Sequence, residues 1–380
     1  MEYKPLKEIA RITMGQSPES SSYNSNQDGL PFFQGNADFG EVYPQERVWC
    51  NDPKKVAQTD DILISVRAPI GALNYAKTKC CIGRGLAAIT VNNASERSYI
   101  FHLLKARNTE LNSKGTGSTF KAIGKSVLEE LQVPVISHEK QAYSMQLMDL
   151  TESIISRRKK EFKLLDDLIK ARFVEMFGDM LINPRDWPEH RLDSLSDIVS
   201  GITKGRKVKT DELYEVPYMA VSNVKDGYID WTTVKSIMAT EKEIDQYRLM
   251  PGDVLMTEGG DPDKLGRGAI IHEPPKDCIH QNHIFRVRLK QDVLLSIFMA
   301  QYLQQQKAKR YFLGCAKQTT GIASINMRQL SALPVLVPPM KEQKEYASFV
   351  AQVDKSKFEV QRALDETQKL FDSLMQEYFG

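Results

Sequence analysis

The sequence predicts a mixed α/β (α+β) fold, in which two similar α/β modules are separated by two long helices that pair as an antiparallel coiled coil. Three observations lead to this prediction. A block of sequence is repeated at one offset, each module alternates short strands with helices, and a heptad pattern of apolar residues follows each module. A fixed-period repeat limits the architecture before any single motif is considered.

The repeat covers residues 116–178 and 319–380 at an offset of 202 residues, and both copies end in Phe-Gly. Ile123 aligns with Ile325, and the apolar residues that follow align in the same way. The stretches ahead of the two copies are similar only in outline, which indicates two individual modules on a shared frame related by a pseudo-twofold. We expect modules at 1–138 and 186–340, helical regions at 139–178 and 341–380, and a linker at 179–185.

Within each module, short apolar runs predict strands. ILISV (62–66) and VLMTE (254–258) each follow an Asp and lead into a Gly-rich loop. LAAITV (86–91) and the alternating IFRVRL (284–289) predict a second strand in each module. The stretches YIFHLLKARNTEL and SIFMAQYLQQQKAKRYF follow as amphipathic helices. The segment DMLINPRDWPEHRLDSL, with two prolines, is expected to link the first long helix to the second module.

The helical regions carry a heptad seam and, from Glu139 to Phe177, contain neither Pro nor Gly. The seam residues at sevenfold spacing are Met148, Ile155, Phe162, Ile169 and Met176 in the first helix and Val350, Leu364, Phe371 and Tyr378 in the second, where Lys357 interrupts the row. This spacing is typical of a coiled coil. Each helix would be roughly 55 to 60 Å long. An exposed apolar stripe of that length needs a partner, so we expect the two helices to pair antiparallel, with one module at each end.

Composition indicates an ordinary soluble protein of 380 residues, with 41% hydrophobic and 26% charged residues. No apolar run approaches the length of a membrane span, and the charged start MEYKPLKEIAR is unlike a signal peptide, so a cytoplasmic location is expected. The five cysteines follow no CxxC pattern and are expected to be reduced thiols. Because the formal net charge is only +2, a nucleic-acid surface would have to come from local basic clusters.

Several short motifs carry a resemblance to a known family. They are LPFFQGNADFG, DDILISVRAPIG and CIGRGLAAI in the first half, GDVLMTEGG in the second, GSTFKAI leading to LEELQVPV before the first long helix, and VLVPPMKEQK leading into the second. In the order, spacing and duplication of these motifs, essentially the whole chain resembles the DNA-specificity subunit of a Type I restriction-modification system. The resemblance implies two target-recognition domains, each followed by a conserved helical region.

The resemblance also implies a subunit without catalysis that selects a bipartite, asymmetric site in double-stranded DNA. The implied partners are two methyltransferase (modification) subunits, with restriction (translocase) subunits in the larger complex. It implies no cofactor in this subunit, with S-adenosylmethionine, ATP and Mg bound by the partner subunits. Two alternatives stay open: a non-catalytic, repeat-built adaptor that binds proteins, and an enzyme in its own right.

The search for catalytic and metal-binding motifs favours the non-enzymatic interpretations. The stretch 124–126 (Gly-Lys-Ser) ends like a P-loop, but the glycine that this motif needs five residues earlier is Thr119. Cys278, His280 and His283 are metal-ligand types at plausible spacing, but no matching further ligand lies nearby. We therefore predict no catalytic residue and no metal site. Gln281, Asn282 and His283 are expected to form a polar loop that enters the strand IFRVRL and that could touch DNA or only close a turn.

Polar loops are the candidate DNA contacts, because Arg, Lys, Asn and Gln read base edges while Ser, Thr and Lys hold phosphates. In the first module the candidates are Gln34, Asn36, Arg67, Arg84, Lys114, Ser118, Thr119 and Lys121. In the second module they are Lys204, Arg206, Lys207, Lys209, Ser222, Asn223, Lys264, Arg267, Lys317, Gln318 and Thr319. Each could instead be solvated, brace a turn or form an internal ion pair. The cluster KGRKVK is the strongest candidate for a phosphate-contacting loop.

Overall fold

The computed structural model describes residues 2–117, 121–208, 212–260, 265–319 and 322–379. Its mixture of helices and strands in two domains confirms the predicted fold class. The chain divides into two compact units, Met1–Lys160 with Gln361–Gly380, and Glu161–Val360. Both long helices therefore contribute one part to each unit.

The first unit contains the whole of the first predicted module, 1–138. Its strands are β1 (Glu2–Pro5), β2 (Arg11–Met14), β3 (Tyr23–Asn24), β4 (Leu30–Phe33), β5 (Trp49–Cys50), β6 (Val56–Ala57), β7 (Ile62–Ser65), β8 (Leu73–Tyr75), β9 (Cys80–Ile82), β10 (Leu86–Thr90) and β11 (Gln132–Val135). Its helices are α1 (Ala94–Ala106), α2 (Asn108–Ser113), α3 (Lys125–Glu129) and the start of α4 (His138–Phe177), with 3-10 turns at Leu6–Glu8, Ser20–Ser22 and Asn36–Asp38.

The central sheet of the first unit has the strand order β2-β10-β7-β8, and its neighbouring strands are antiparallel. All four residues of β7 are buried, because Ile62 and Ile64 face one apolar cluster and Leu63 faces another. A strand covered on both faces reads as a continuous apolar run, which is why ILISV was recognisable. A second sheet has the order β3-β5-β4-β9-β6. Strand β1 pairs with β11 and thereby joins the first residues of the chain to the segment that enters α4.

The second unit repeats this plan. Its strands are β12 (Glu189–Arg191), β13 (Ser196–Ser200), β14 (Tyr214–Met219), β15 (Lys235–Ala239), β16 (Val254–Thr257), β17 (Gly259–Gly260), β18 (Gly268–Ile270), β19 (Ile279–His280), β20 (Ile284–Leu289), β21 (Lys317–Thr319), β22 (Ile322–Ser324) and β23 (Pro334–Leu336). Its helices are α5 (Leu192–Leu195), α6 (Glu241–Tyr247), α7 (Ser296–Leu303), α8 (Gln306–Cys315), α9 (Met327–Ser331) and part of α10 (Met340–Phe379), with a 3-10 turn at Val221–Asn223.

The sheet β13-β20-β16-β18 has the same order of equivalent strands as the central sheet of the first unit. Smaller sheets have the orders β15-β14-β19 and β17-β22-β21. The segment 179–195 contributes β12 and α5, which both lie within the predicted second module at 186–340. Strand β12 pairs with β23 as β1 pairs with β11, so the end of this segment belongs to the module. Three exposed residues carry no apolar alternation, and the sequence pattern could not reveal such a strand.

Helices α4 and α10 have 40 residues each. In the first unit, Ile155 of α4 and Phe371 of α10 share one buried cluster. In the second unit, the ring of Phe173 lies 5.4 Å from that of Tyr346, and the Lys357 Nζ atom lies 5.1 Å from the ring of Phe162. Rising numbers in α4 meet falling numbers in α10, so the helices of this unit run antiparallel.

All nine predicted seam residues are buried or half-buried: Met148, Ile155, Met176, Val350 and Phe371 are buried, and Phe162, Ile169, Leu364 and Tyr378 are half-buried. Lys357, which interrupts the apolar row, donates to Asp166 Oδ1 at 2.6 Å. Thr151, which lies four residues before Ile155 in the same helix, is also buried. Its hydroxyl donates to Leu147 O, which explains how a polar residue fits there. None of the described helices is both long and apolar enough to cross a membrane.

Candidate nucleic-acid interface

In the first unit, backbone hydrogen bonds bring several predicted DNA-contacting residues to one edge of the sheets. The Gly85 N–H donates to Gln34 O at 3.2 Å, and the Val66 N–H donates to Gly85 O at 2.9 Å. These bonds place Gln34 beside the loop that carries Arg84 and beside the end of the strand that precedes Arg67. All three of these polar side chains are exposed.

Lys121 joins the same edge. The Ala68 N–H donates to Lys121 O at 3.0 Å, and Arg67 forms an antiparallel bridge with Ala122. We call the exposed set Gln34, Arg67, Arg84 and Lys121 the first strand-edge surface. Its amide and cationic side chains can donate hydrogen bonds to bases and phosphates.

Close backbone approach at glycines allows these loops to meet. A Cβ atom added to Gly15 would lie 2.1 Å from Gly83 O, and one added to Gly85 would lie 2.4 Å from Gln34 O. Gly35, in contrast, has nothing within 4 Å of such an atom. The glycines at positions 15 and 85 are therefore required by the geometry, while position 35 has open space.

The remaining predicted residues of the first module are placed differently. Asn36 is half-buried in a 3-10 turn, where Asp38 Oδ2 accepts the Gln34 N–H at 2.8 Å. Lys114 is exposed and pairs with Glu110 at 2.7 Å, an arrangement typical of a surface ion pair. Ser118 and Thr119 lie outside the described residues.

The second unit builds the same edge with the same backbone bonds. The Glu258 N–H donates to His283 O at 3.0 Å, as the Val66 N–H donates to Gly85 O in the first unit. The Ile325 N–H donates to Glu258 O at 2.8 Å, as the Ile123 N–H donates to Val66 O. Ile284 pairs with Thr257 as Leu86 pairs with Ser65, so the strand register defines which residues of the two units are equivalent. Glu258 takes the place of Val66, Asn282 that of Arg84, and His283 that of Gly85.

Sequence reasoning missed Glu258, and it placed Asn282 and His283 in a polar loop that could touch DNA without including them among the candidate contacts. Because Ser324 pairs on one side with Gly259 and on the other with Lys317, the predicted contact Lys317 lies at the same edge and is exposed. We call Glu258, Asn282, His283 and Lys317 the second strand-edge surface. These residues could have been found by aligning the strands of the two modules. Such an alignment places Glu258, Asn282 and His283 opposite residues at the edge of the first module.

The basic cluster at 204–209 is divided by the structure. Arg206 donates to both carboxylate oxygens of Glu243 at 2.5 Å and to Met238 O at 3.1 Å, and its side chain is 19% exposed. The hydrogen bonds from Arg206 lower the pKa of Glu243 to about 2. The prediction that Arg206 contacts phosphate therefore conflicts with this internal ion pair. Lys204 and Lys207 are exposed, and Lys209 lies outside the described residues.

Asn223 is also committed internally. It is fully buried, its amide donates to Asp230 O at 3.0 Å and to the Thr233 hydroxyl at 2.9 Å, and its Oδ1 accepts the Ala220 N–H. The structure gives Asn223 a role in holding its own loop, not the predicted DNA contact, because a buried side chain with these partners does not reach a base edge. Its neighbour Ser222 is exposed.

Among the other predicted residues of the second module, Arg267 is half-buried. Gln318 and Thr319 belong to β21, but their side chains lie outside the described part of the chain, as does Lys264. The structure therefore places Ser222, Lys204, Lys207 and Lys317 as exposed predicted contacts of this module.

The two histidines of the 278–283 segment differ in environment. His280 is fully buried, and its ring nitrogens lie 3.1 Å from Tyr247 O and 3.3 Å from Val199 O. Burial lowers the pKa of His280 to about 4, so it is neutral near pH 7. His283 is exposed, and its Nδ1 lies 2.6 Å from Glu258 Oε2. Within the described ranges, no group of three or more His, Cys, Asp and Glu side chains is arranged to hold a metal ion.

Comparison with known proteins links both halves of the chain to one family. The family model described as Type I restriction modification DNA specificity domain matches residues 1–163 and 184–367. The putative type I restriction enzyme MjaX specificity subunit of Methanocaldococcus jannaschii is 42% identical over 152 residues, which are 40% of this chain and 36% of that relative's length. The EcoKI specificity subunit of Escherichia coli is 21% identical over 345 residues, or 84% of this chain and 74% of the relative.

A solved structure supports the fold over the whole length. The crystal structure of the Type I restriction-modification system S subunit from M. genitalium covers 100% of this chain and 96% of its own, with a TM-score of 0.61 and 14% sequence identity. At this identity the likeness concerns the fold alone.

Proposed function

The chain belongs to the Type I restriction-modification DNA specificity family, and we propose that it is the subunit that selects the DNA sequence for a Type I restriction-modification complex. One observation carries the proposal: the same strand edge is built in each unit from the same backbone bonds but from different side chains. Arg84 and Arg67 of one edge correspond to Asn282 and Gly259 of the other. Two edges of one construction and different chemistry suit two different half-sites of a bipartite, asymmetric duplex site.

The proposed partners follow from the family. The relatives are named as specificity subunits of type I restriction enzymes, a term for one component of a larger enzyme. We propose that this chain recruits two modification (methyltransferase) subunits, that restriction (translocase) subunits join them, and that the complex acts in the cytoplasm. In this proposal the chain itself is non-catalytic, and S-adenosylmethionine, ATP and Mg²⁺ are bound by the partner subunits.

Binding of duplex DNA is the first test. The full-length chain, with and without its cognate methyltransferase subunit, would be titrated with random-sequence duplexes at low and raised salt. Binding that weakens steeply with salt is expected, because cationic side chains that contact phosphates release counterions. Absence of duplex binding under all these conditions would contradict the proposal and favour the protein-binding adaptor.

Exchange of one module tests the division of labour. Residues 1–138 would be replaced by the first module of another family member, and the methylated sequence would be mapped across a genome. We expect one half of the site to change while the other half is kept. A simultaneous change of both halves would show that the modules do not act independently.

A further inference from the structure

A cleft of about 310 Å³ opens at the second strand-edge surface and is lined by Val221, Glu258, Gly259, His283 and Ser324. Gly259 and Ser324 pair through their backbones. The ionisable side chains of this lining are those of Glu258 and His283, which are 36% and 56% exposed. The cleft therefore presents a carboxylate and an imidazole at the position where the proposed DNA contacts lie.

The two side chains are fixed at both ends. Their backbones are joined by the 3.0 Å bond from the Glu258 N–H to His283 O, and their side chains meet at 2.6 Å between His283 Nδ1 and Glu258 Oε2. When Nδ1 carries the proton, it donates to the carboxylate and limits the rotation of Glu258. The second carboxylate oxygen, Oε1, is then held in a defined direction and can accept a hydrogen bond from a ligand.

A carboxylate is repelled by the phosphates of DNA, so Glu258 would contact a hydrogen-bond donor of a base and not a phosphate. The exocyclic amino groups of cytosine (N4) and adenine (N6) are hydrogen-bond donors in the major groove, and Glu can accept from such a group. The first unit has the buried residue Val66 at the equivalent position, so this chemistry belongs to the second unit only. Lys317 lies in the sheet that also contains Gly259, the residue that follows Glu258, and its cationic side chain would bind a nearby phosphate.

We propose that Glu258 is a base-reading residue of the second module, which accepts a hydrogen bond from the exocyclic amino group of a cytosine or an adenine. His283 acts as its positioning residue. The inference rests on the proposed function and adds the class of base edge that this module selects.

The test is selection from a pool of duplexes with randomised base pairs, using the full-length wild-type chain and Glu258→Ala. We expect the wild type to enrich a two-part motif. In Glu258→Ala, which removes the acceptor, the preference at one base pair of one half-site should fall by a factor on the order of ten, while the other half-site is unchanged. Glu215→Ala is the matched control, because Glu215 is another carboxylate of this unit; it is exposed and accepts a hydrogen bond from the Ser236 hydroxyl. It should leave the motif unchanged.

A base analogue gives an independent readout. The identified base would be replaced by one that lacks the exocyclic amino group, such as purine for adenine. This duplex should bind the wild type about tenfold more weakly, and Glu258→Ala should lose no further affinity. For the positioning role, His283→Ala should reduce the same preference, and His283→Gln, which keeps a side-chain donor, should restore part of it.

The possible outcomes separate the two proposals. If the wild type enriches no motif at all, the proposed function fails. If the wild type enriches a two-part motif and Glu258→Ala, folded by its circular dichroism, enriches the same motif with the same preferences, only the role of Glu258 is refuted.

Discussion

Replacement of Arg206 by Ala should destabilise the second unit and leave DNA binding by the folded protein almost unchanged. Replacement of the neighbouring Lys204 and Lys207 by Ala should weaken DNA binding and leave the stability of the second unit almost unchanged. The reason is that Arg206 is held by Glu243 and by Met238 O, while the two lysines are exposed. The two variants remove positive charge from the same loop, so each is the control for the other.

The magnitude for Arg206→Ala follows from the pKa of Glu243. Arg206 is the largest cause of its decrease from 4.5 to about 2. At about 1.4 kcal/mol for each tenfold change in acidity, this corresponds to at most about 3 kcal/mol. Solvent screening of a partly exposed pair and the contribution of Thr240 reduce the expected loss in free energy of unfolding to about 2 kcal/mol.

The same ion pair predicts a pH dependence. The folded-state pKa of Glu243 lies below its ordinary value, so the stabilisation is complete above about pH 4.5 and is lost as the pH falls towards 2. In Arg206→Ala most of this slope should be absent, because the carboxylate no longer has its cationic partner.

Hydrogen exchange of peptides from α6, which begins two residues before Glu243, measures the stability locally. Fluorescence anisotropy with duplex DNA at several salt concentrations measures the phosphate contacts. For Lys204→Ala/Lys207→Ala, the slope of log affinity against log salt should decrease by about 1.8, since each lost contact contributes about 0.9. The reasoning is refuted if Arg206→Ala leaves exchange in α6 unchanged and reduces the salt slope instead.

Three further predictions concern the frame of each unit. The Tyr99 hydroxyl donates to Pro134 O at 3.0 Å, and the Tyr302 hydroxyl donates to Pro334 O at 2.7 Å. Tyr99→Phe and Tyr302→Phe should therefore each lower the free energy of unfolding by about 1 kcal/mol in urea titrations. As a control, Tyr143→Phe, at a position that is 66% exposed, should change it by less than about 0.5 kcal/mol. Gly15→Ala should prevent stable folding of the first unit and Gly35→Ala should be tolerated, as measured by thermal unfolding; equal melting temperatures would contradict the close approach at Gly15. Burial lowers the pKa of His280 from 6.5 to about 4. The second unit should therefore keep its full stability above about pH 6.5 and lose about 2 kcal/mol in free energy of unfolding on going to pH 5. Hydrogen exchange of β20 should show this pH dependence in the wild type and not in His280→Asn.

The parts of the fold that the sequence could predict are those with a regular period. The heptad residues Met148 and Phe371 are buried as expected, because a helix with a 3.5-residue apolar period must face a partner along its whole length. Strand β7 was predictable since burial on both faces requires a continuous apolar run. Strand β12 was not predictable, because its three exposed residues are ordered by pairing with a strand more than 140 residues away in sequence.

The candidate interface was predictable only in part for a related reason. Residue type indicates that Arg206 and Asn223 can bind DNA, but it does not show whether a partner within the fold already uses their donors. Glu243, which engages Arg206, lies 37 residues further along the chain. Arg84 and Gln34 come together through backbone bonds between distant loops. Such commitments depend on tertiary contacts, which local patterns do not contain.

The division between backbone and side chains explains how one frame can hold two different surfaces. The bonds that build each edge, from Val66 to Gly85 and from Glu258 to His283, join main-chain atoms and so do not depend on the side chains at these positions. Side chains that hold the frame point inwards, as the Tyr302 hydroxyl does. A substitution at an edge position therefore changes the chemistry offered to a ligand at little cost in stability, except where glycine is needed for close approach. A fold with this property can diverge at one edge while the other is kept.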